Sequence, residues 1–161
     1  MAVAYLLVGG NLDNTVEKFD KLKEMLQNRI GEIHCSSKLY RSASWGFESP
    51  HSFINQAITL QTTLTPEELL RKIQDIEKSF GRKRNNSNQY EDRRMDIDII
   101  FYDNEIINKE NLHIPHPQMH HRNFVLFPLK EIAPTYTHPV LKKTVAELFL
   151  ECVDKGMVEQ I

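Results

Sequence analysis

The sequence predicts an α+β domain with an antiparallel sheet, its elements running β-α-β-β-α-β before a C-terminal extension. Three observations carry that prediction. Two segments, 16–30 and 69–80, repeat apolar residues at helical spacing, and each is closed by a glycine, Gly31 or Gly81. Three runs, 2–8, 53–62 and 95–102, have strand character, and a further strand-like stretch follows the first helix with no helix between it and the next strand. Finally, 161 residues with 40% apolar and 26% charged side chains is the size and composition of one soluble domain, so 1–161 is read as a single unit.

Taken in order, Ala2 to Val8 (AVAYLLV) reads as a buried strand ending in a tight turn at Gly9-Gly10. Asn14 precedes Glu17 by three residues and is read as an N-cap with a returning acid. Val16, Phe19, Leu22, Leu26 and Ile30 then form the stripe of an amphipathic helix. Ile33 to Tyr40 is a weaker strand, and 44–51 (SWGFESPH) is rich in turn formers. Phe53 to Thr62 is a strand. Thr65-Pro66-Glu67-Glu68 sets a capping Thr, Pro at the first helical position and the capping-box acid three residues on. Leu69, Leu70, Ile73, Ile76 and Phe80 are its buried stripe. Residues 82–93 form a long polar loop. Met95 to Tyr102 is a strand, with Asp103-Asn104 as a hairpin turn into 105–107. His113 to Arg122 reads as irregular, 124–132 as a helix interrupted or bent at Pro128, and Thr144 with Glu147 as the start of a last short helix. This order is the split βαβ, ferredoxin-like arrangement, in which both main helices cover one face of the sheet. The fold alone assigns no function.

Charge narrows the classes. Lys+Arg 20 against Asp+Glu 22 gives a net −2, so no global positive field exists to hold nucleic acid or an anionic membrane. The longest apolar run, at Met1–Gly10, is too short to span a bilayer and lacks a basic leading segment, which argues against a membrane anchor or a secretory leader. Cys35 and Cys152 lack CxxC spacing, suit a reducing cytoplasm, and are both read as packing residues.

Asp96 and Asp98 are the strongest chemical signal. Two apart on a strand, their carboxylates emerge on the same face, while Ile97, Ile99 and Phe101 take the other. Paired carboxylates raise each other's pKa unless a cation lies between them. The hard-cation reading is Mg²⁺, which takes one or two carboxylates and completes its shell with phosphate oxygens. The alternative is an edge strand whose acids pair with Arg93 or Arg94, or face water. The preceding loop offers Arg82, Lys83, Arg84 and Arg93, whose forks suit phosphate oxygens; the plainer reading is a solvated loop. His113, His116, His120 and His121 match no zinc spacing, and hydrogen bonding to a phosphate or a base suits them better. Gly9-Gly10-Asn11 lacks both the GxGxxG pattern and the P-loop lysine. No GxSxG and no reactive-cysteine context is present.

Assembled, these residues resemble one family. Gly9-Gly10-Asn11-Leu12 is similar to its GSNL opening, and Tyr40-Arg41-Ser42 with Phe53-Ile54-Asn55 to its YRT…YxN segment. Gln74 to Glu77 with Gly81 to Arg84 resembles QxIE…GRxR, and Arg93 to Ile99 resembles RTxDxDI. Ile114-Pro115-His116, Met119, Arg122, Phe124, Pro128-Leu129 and 131–134 resemble its closing signature. The family is 6-hydroxymethyl-7,8-dihydropterin pyrophosphokinase, and the likeness runs from about residue 3 to 140 in the same order.

The resemblance implies a ferredoxin-like αβα enzyme of folate synthesis that moves the β,γ-pyrophosphoryl group of ATP onto the pterin hydroxymethyl oxygen and releases AMP. By that likeness Asp96 and Asp98 hold two Mg²⁺ ions, and Arg82 and Arg93 join them in catalysis. Gln74, Glu77, Arg84, Ile99, His116 and Arg122 surround ATP, with Tyr90 standing in for the family's usual loop aromatic. Asn55 reads the pterin edge, Phe53 and Phe124 sandwich its ring, and the backbone of Ser42, Ala43 and Trp45 adds hydrogen bonds. A cytoplasmic monomer whose partners are ATP and the reduced pterin is expected, with no nucleic acid or membrane. Departures are Gly10 for Ser, Phe53 for Tyr, Tyr90-Glu91-Asp92 before Arg93, and Pro117 after His116. Two rivals remain: a non-catalytic module binding nucleotide or RNA on its sheet, and a Mg-dependent phosphodiesterase with no pterin slot.

Overall fold

The computed structural model describes residues 1–11, 15–42, 53–81 and 95–161. Strand β1 (Ala2–Asn11) leads to helix α1 (Thr15–Arg29), then to strands β2 (Gly31–Ser36), β3 (Tyr40–Ser42) and β4 (Phe53–Thr62). Helix α2 (Pro66–Ser79) and strand β5 (Met95–Tyr102) complete the β-α-β-β-α-β core. After it come a small hairpin, β6 (Ile107–Lys109) and β7 (Leu112–Ile114), and a 3₁₀ turn at Met119–His121. Helices α3 (Asn123–Ile132) and α4 (Val145–Glu151) and strand β8 (Val158–Gln160) end the chain.

The main sheet runs β5-β1-β4-β3-β8, and every pairing in it is antiparallel. β2 and β3 share one position beside β4: β2 pairs with its Ile58–Thr62 half and β3 with Phe53–Asn55. That is the ferredoxin-like order expected from the sequence. Both faces are covered. On one, α1 and α2 bury Phe19, Leu22, Leu26, Leu69, Ile73 and Ile76 against Leu6, Val8, Ile58 and Leu60. On the other, Val125, Leu126 and Leu129 of α3 and Val145 and Leu148 of α4 pack on Leu7, Ala57, Ile100 and Phe101. Each such fully buried aliphatic side chain contributes about 1.5–3 kcal/mol. α3 and α4 thus occupy much of the second face, the face on which an RNA-binding module would present sheet aromatics.

Several elements form for the reasons read from the sequence. Thr65 Oγ1 accepts from Glu68 N–H while Glu68 returns to Thr65 N–H, and Thr144 with Glu147 repeats the arrangement at α4. Gly81 takes φ +107° just past α2, a conformation that favours glycine. Asn14 lies outside the described residues.

Other expectations are corrected. Gly9 and Gly10 are not a turn; they continue β1, paired with Asn55 and Ile54 on one side and Asp96 and Met95 on the other. Phe101 does not share a face with Ile97 and Ile99. A bulge at Ile100 interrupts the β1–β5 ladder between Tyr5 and Leu6, so Phe101 turns into the α3 side. Asp103 does not start a hairpin with 105–107. It closes the end of β1 instead, Oδ1 accepting from Val3 N–H, and 107–109 pair with β7. His113 and Ile114 therefore belong to a strand. Helix α3 runs unbroken through Pro128. Val16 is exposed, so the α1 stripe begins at Phe19. Cys35 is exposed too: an irregularity between Ile33 and Cys35 rotates it away from the core that Ile33 joins, whereas Cys152 is buried as expected. Among the described residues, no helix is long and apolar enough to cross a membrane.

Candidate active site

Register across the sheet assembles the site. Asp96 on β5 stands opposite Gly9 on β1, Gly9 opposite Asn55 on β4, and Asn55 opposite Tyr40 on β3. One step along, Asp98 faces Leu7, and on the other side of the row Phe53 faces Ser42. Directly paired residues point to the same face, here the face that α3 covers only in part. Gly9 is essential to the row. A Cβ at that position would lie 2.3 Å from Asn55 Oδ1, so only glycine lets the buried amide lie across β1.

These residues line a cavity of about 240 Å³. Leu7, Gly9 and Gly10 form its floor, Phe53, Asn55 and Ser42 one wall, and Asp96 and Asp98 the other; Arg122 and Phe124, from the start of α3, close over it. The Arg122 guanidinium carbon sits 5.8 Å from the centroid of Phe124's ring. Flat aromatic faces, one buried amide able to donate and accept, and a carboxylate pair at one side suit a polar heterocycle that carries a charged reaction partner.

Electrostatics point the same way. Burial raises the pKa of Asp98, and Asp96 adds to the rise, while His116 and Arg122 oppose it. Burial lowers the pKa of His116, Arg122 adds to that, and Asp98 works against it. A carboxylate held above its ordinary range by burial, with a neighbouring carboxylate adding to it, is relieved when a cation binds beside it. Among the described residues no set of three or more His, Cys, Asp and Glu is arranged to hold a metal. Asp96 and Asp98 are thus a two-carboxylate donor set, which fits a hard cation whose remaining ligands are phosphate oxygens.

The remaining sequence-predicted residues fall into three groups. Ser42, Phe53, Asn55, Asp96, Asp98, Arg122 and Phe124 meet in the cavity. Gln74, Glu77, Ile99 and His116 do not line it. Gln74 is exposed on α2, and Glu77 is buried with Oε2 accepting from Ile97 N–H at 3.0 Å. Ile99 packs in the α1/α2 core. His116 borders a second cavity of about 230 Å³, where its Nδ1 accepts from Gln118 N–H. Ala43, Trp45, Arg82, Arg84, Tyr90 and Arg93 lie outside the described residues. Sequence reading missed Leu7, Gly9 and Gly10 as site residues. For Gly9 the signal was its partner across the strand, which one sequence does not display.

With this geometry in place, the comparisons with known proteins become informative. The family described as HPPK, 7,8-dihydro-6-hydroxymethylpterin-pyrophosphokinase, matches residues 5–134. The chain belongs to this family. A 2-amino-4-hydroxy-6-hydroxymethyldihydropteridine pyrophosphokinase of Porphyromonas gingivalis is 40% identical over 141 residues, covering 86% of this chain and 95% of that protein. The enzyme of the same name from Aquifex aeolicus is 38% identical over 147 residues, covering 91% and 90%. Among solved structures, a Plasmodium falciparum HPPK-DHPS chain superposes with a TM-score of 0.77 at 18% identity. It covers 94% of this chain, which spans 43% of that longer one, and at this identity the likeness concerns the fold. Every described residue that lines the cavity, from Leu7 to Phe124, falls inside the stretch matched to the HPPK family.

Proposed function

We propose that this chain transfers the β,γ-pyrophosphoryl group of ATP to the hydroxymethyl oxygen of 6-hydroxymethyl-7,8-dihydropterin, releasing AMP, with Mg²⁺ held at Asp96 and Asp98. The observation that carries the reading is the single cavity in which Phe53, Phe124 and Asn55 meet the two aspartates, in a chain of the HPPK family. In this reading the pterin ring lies between Phe53 and Phe124, and Asn55 reads its amide edge. Ser42, with Ala43 and Trp45, completes the heterocycle's hydrogen bonding.

Transfer of a phosphoryl-type group depends mainly on positioning and on neutralising charge. Two bound Mg²⁺ ions would supply that neutralisation and orient the phosphates. Arg122 lines the cavity and would offer a fork to a phosphate oxygen, and His116, near Asp98 but on the second cavity, would hydrogen-bond the nucleotide. Roles for Arg82, Arg84, Tyr90 and Arg93 around the triphosphate, and for Gln74, Glu77 and Ile99 around the nucleoside, rest on the motif resemblance. Action as a monomer in the cytoplasm belongs to the same reading. The hydroxymethyl oxygen bonds to the β-phosphorus and gives up its proton to solvent, the bond between that phosphorus and the α,β-bridging oxygen breaks, and AMP leaves with that oxygen.

Phosphorus NMR of the protein with Mg-ATP and the reduced hydroxymethylpterin tests this directly. AMP and a pterin diphosphate are expected. ADP with a pterin monophosphate, or no turnover that depends on pterin, would overturn the assignment.

A further inference from the structure

The helix that carries Arg122 and Phe124 has no cap of its own. Arg122 stands at the N-cap of α3, and its side chain makes no capping hydrogen bond. The first N–H groups of a helix need acceptors, and an acid is the favoured one. Here the acceptor comes from 31 residues away: Asp154 Oδ2 accepts from Asn123 N–H at 3.2 Å. The other oxygen, Oδ1, accepts from Gly156 N–H at 2.9 Å, and Asn123 Nδ2 donates to Gly156 O at 2.5 Å. Asn123 is itself buried. Three hydrogen bonds thus close a clasp around the residue between Arg122 and Phe124.

Two residues past Gly156 the same segment joins the opposite wall. Val158 on β8 pairs with Ser42 on β3, Arg41 bridges Glu159 at 2.8 Å, and Ile161 N–H donates to Leu39 O. The stretch from Asp154 to Val158 therefore ties the α3 wall of the cavity to its β3 wall over a span of four residues. The other described links between α3 and β3 lie further along the helix, where Glu131 accepts from Tyr40 Oη and Lys38 N–H and Phe127 packs 6.2 Å from the Tyr40 ring, so the Asp154 clasp is the one that holds the first turn, beside Phe124.

We infer that Asp154 is a positioning residue for the pterin: by clasping Asn123 it fixes the start of α3, and so the width of the slot between Phe124 and the Phe53–Ser42 wall. The segment lies beyond the residues matched to the family. The inference rests on the pterin reading of the cavity. A flat ring held between two faces loses affinity steeply when one face moves, whereas a nucleotide for which Arg122 is one anchor among several loses less.

The test measures binding at 25 °C with circular dichroism confirming that each variant is folded. The probes are 6-hydroxymethylpterin, in the presence of Mg²⁺ and α,β-methylene-ATP, and separately that nucleotide alone. Asp154→Ala is expected to weaken pterin binding at least about tenfold while changing nucleotide binding less than about threefold. Asp154→Asn, which keeps an acceptor for Asn123 N–H, should recover most of the loss. If Asp154→Ala does not fold, Asn123→Ala decides, since it keeps the backbone cap and cuts only the bond to Gly156; a selective loss for the pterin is again expected. Pterin binding within twofold of the native protein in the folded variants, or equal losses for both ligands, overturns the inference. Failure of the native protein to bind the pterin at all instead removes the functional reading on which it stands.

Discussion

Gly9 and the two aspartates show how much a single atom decides in this cavity. Replacing Gly9 with Ala puts a methyl carbon 2.3 Å from Asn55 Oδ1, and the buried amide must rotate away from any ligand. The pterin KM of Gly9→Ala should rise about tenfold or more, the cost of one or two lost hydrogen bonds, and a steady-state titration checks it. Asp96→Asn and Asp98→Asn make the opposite kind of change. Both carboxylates are exposed to the cavity and support no part of the core, so folding should persist. Turnover should fall at least about 10²-fold, because each variant removes charge that balances the phosphates. Near-native rates at limiting Mg²⁺ would show that they are surface acids. That the two aspartates share a face was legible from their spacing. Gly9 was not, since a glycine after an apolar run reads as a turn until its neighbours on both sides are known.

Elements with local causes were read correctly, and those with distant causes were not. β4 and β5 occupy the expected residues because their composition and alternation are intrinsic, and α2 starts at its capping box. Thr65→Ala should cost about 1 kcal/mol, which for a chain of this size lowers Tm by about 2–4 °C, measurable by calorimetry. No change would mean that the first turn of α2 is held by packing alone. By contrast, the bulge that turns Phe101 over arises from the β1 register, and α3 takes its cap from Asp154. Strand β8 exists because β3 offers it an edge. Nothing within a few residues of these features announces them. Gln74 and Glu77, which the motif resemblance assigns to ATP, lie outside the cavity on α2, with Glu77 Oε2 accepting from Ile97 N–H.

At the scale of the whole molecule, stability has an acid-sensitive point remote from the cavity. His138 is buried against Phe101, and its Nδ1 accepts from both Val140 and Leu141 N–H, which requires that nitrogen to be unprotonated. Burial, with His120 adding to it, pushes its pKa from the usual 6.5 down to about 4. A folded-state pKa below the unfolded one means stability fully present above pH about 6.5 and lost progressively as pH falls toward about 4. Tm should therefore drop by several degrees between pH 7 and 4.5. In His138→Asn, whose side-chain oxygen accepts without titrating, that part of the drop should be absent. Identical pH profiles for the two proteins would assign acid sensitivity to other groups.

The two cysteines give the molecule its own clock. Cys35 is exposed on β2, whereas Cys152 is buried at the end of α4, two residues before Asp154. A thiol-specific chromogenic reagent should modify one sulfur at once and the other only when the chain beyond α4 lifts from α3. At high reagent concentration the slow phase should become independent of reagent, and its rate is then the rate of that opening. Asp154→Ala should quicken the slow phase and leave the fast one alone. A single fast phase of two sulfurs in the native protein would show that this end of the chain is not held shut on the timescale of the chemistry.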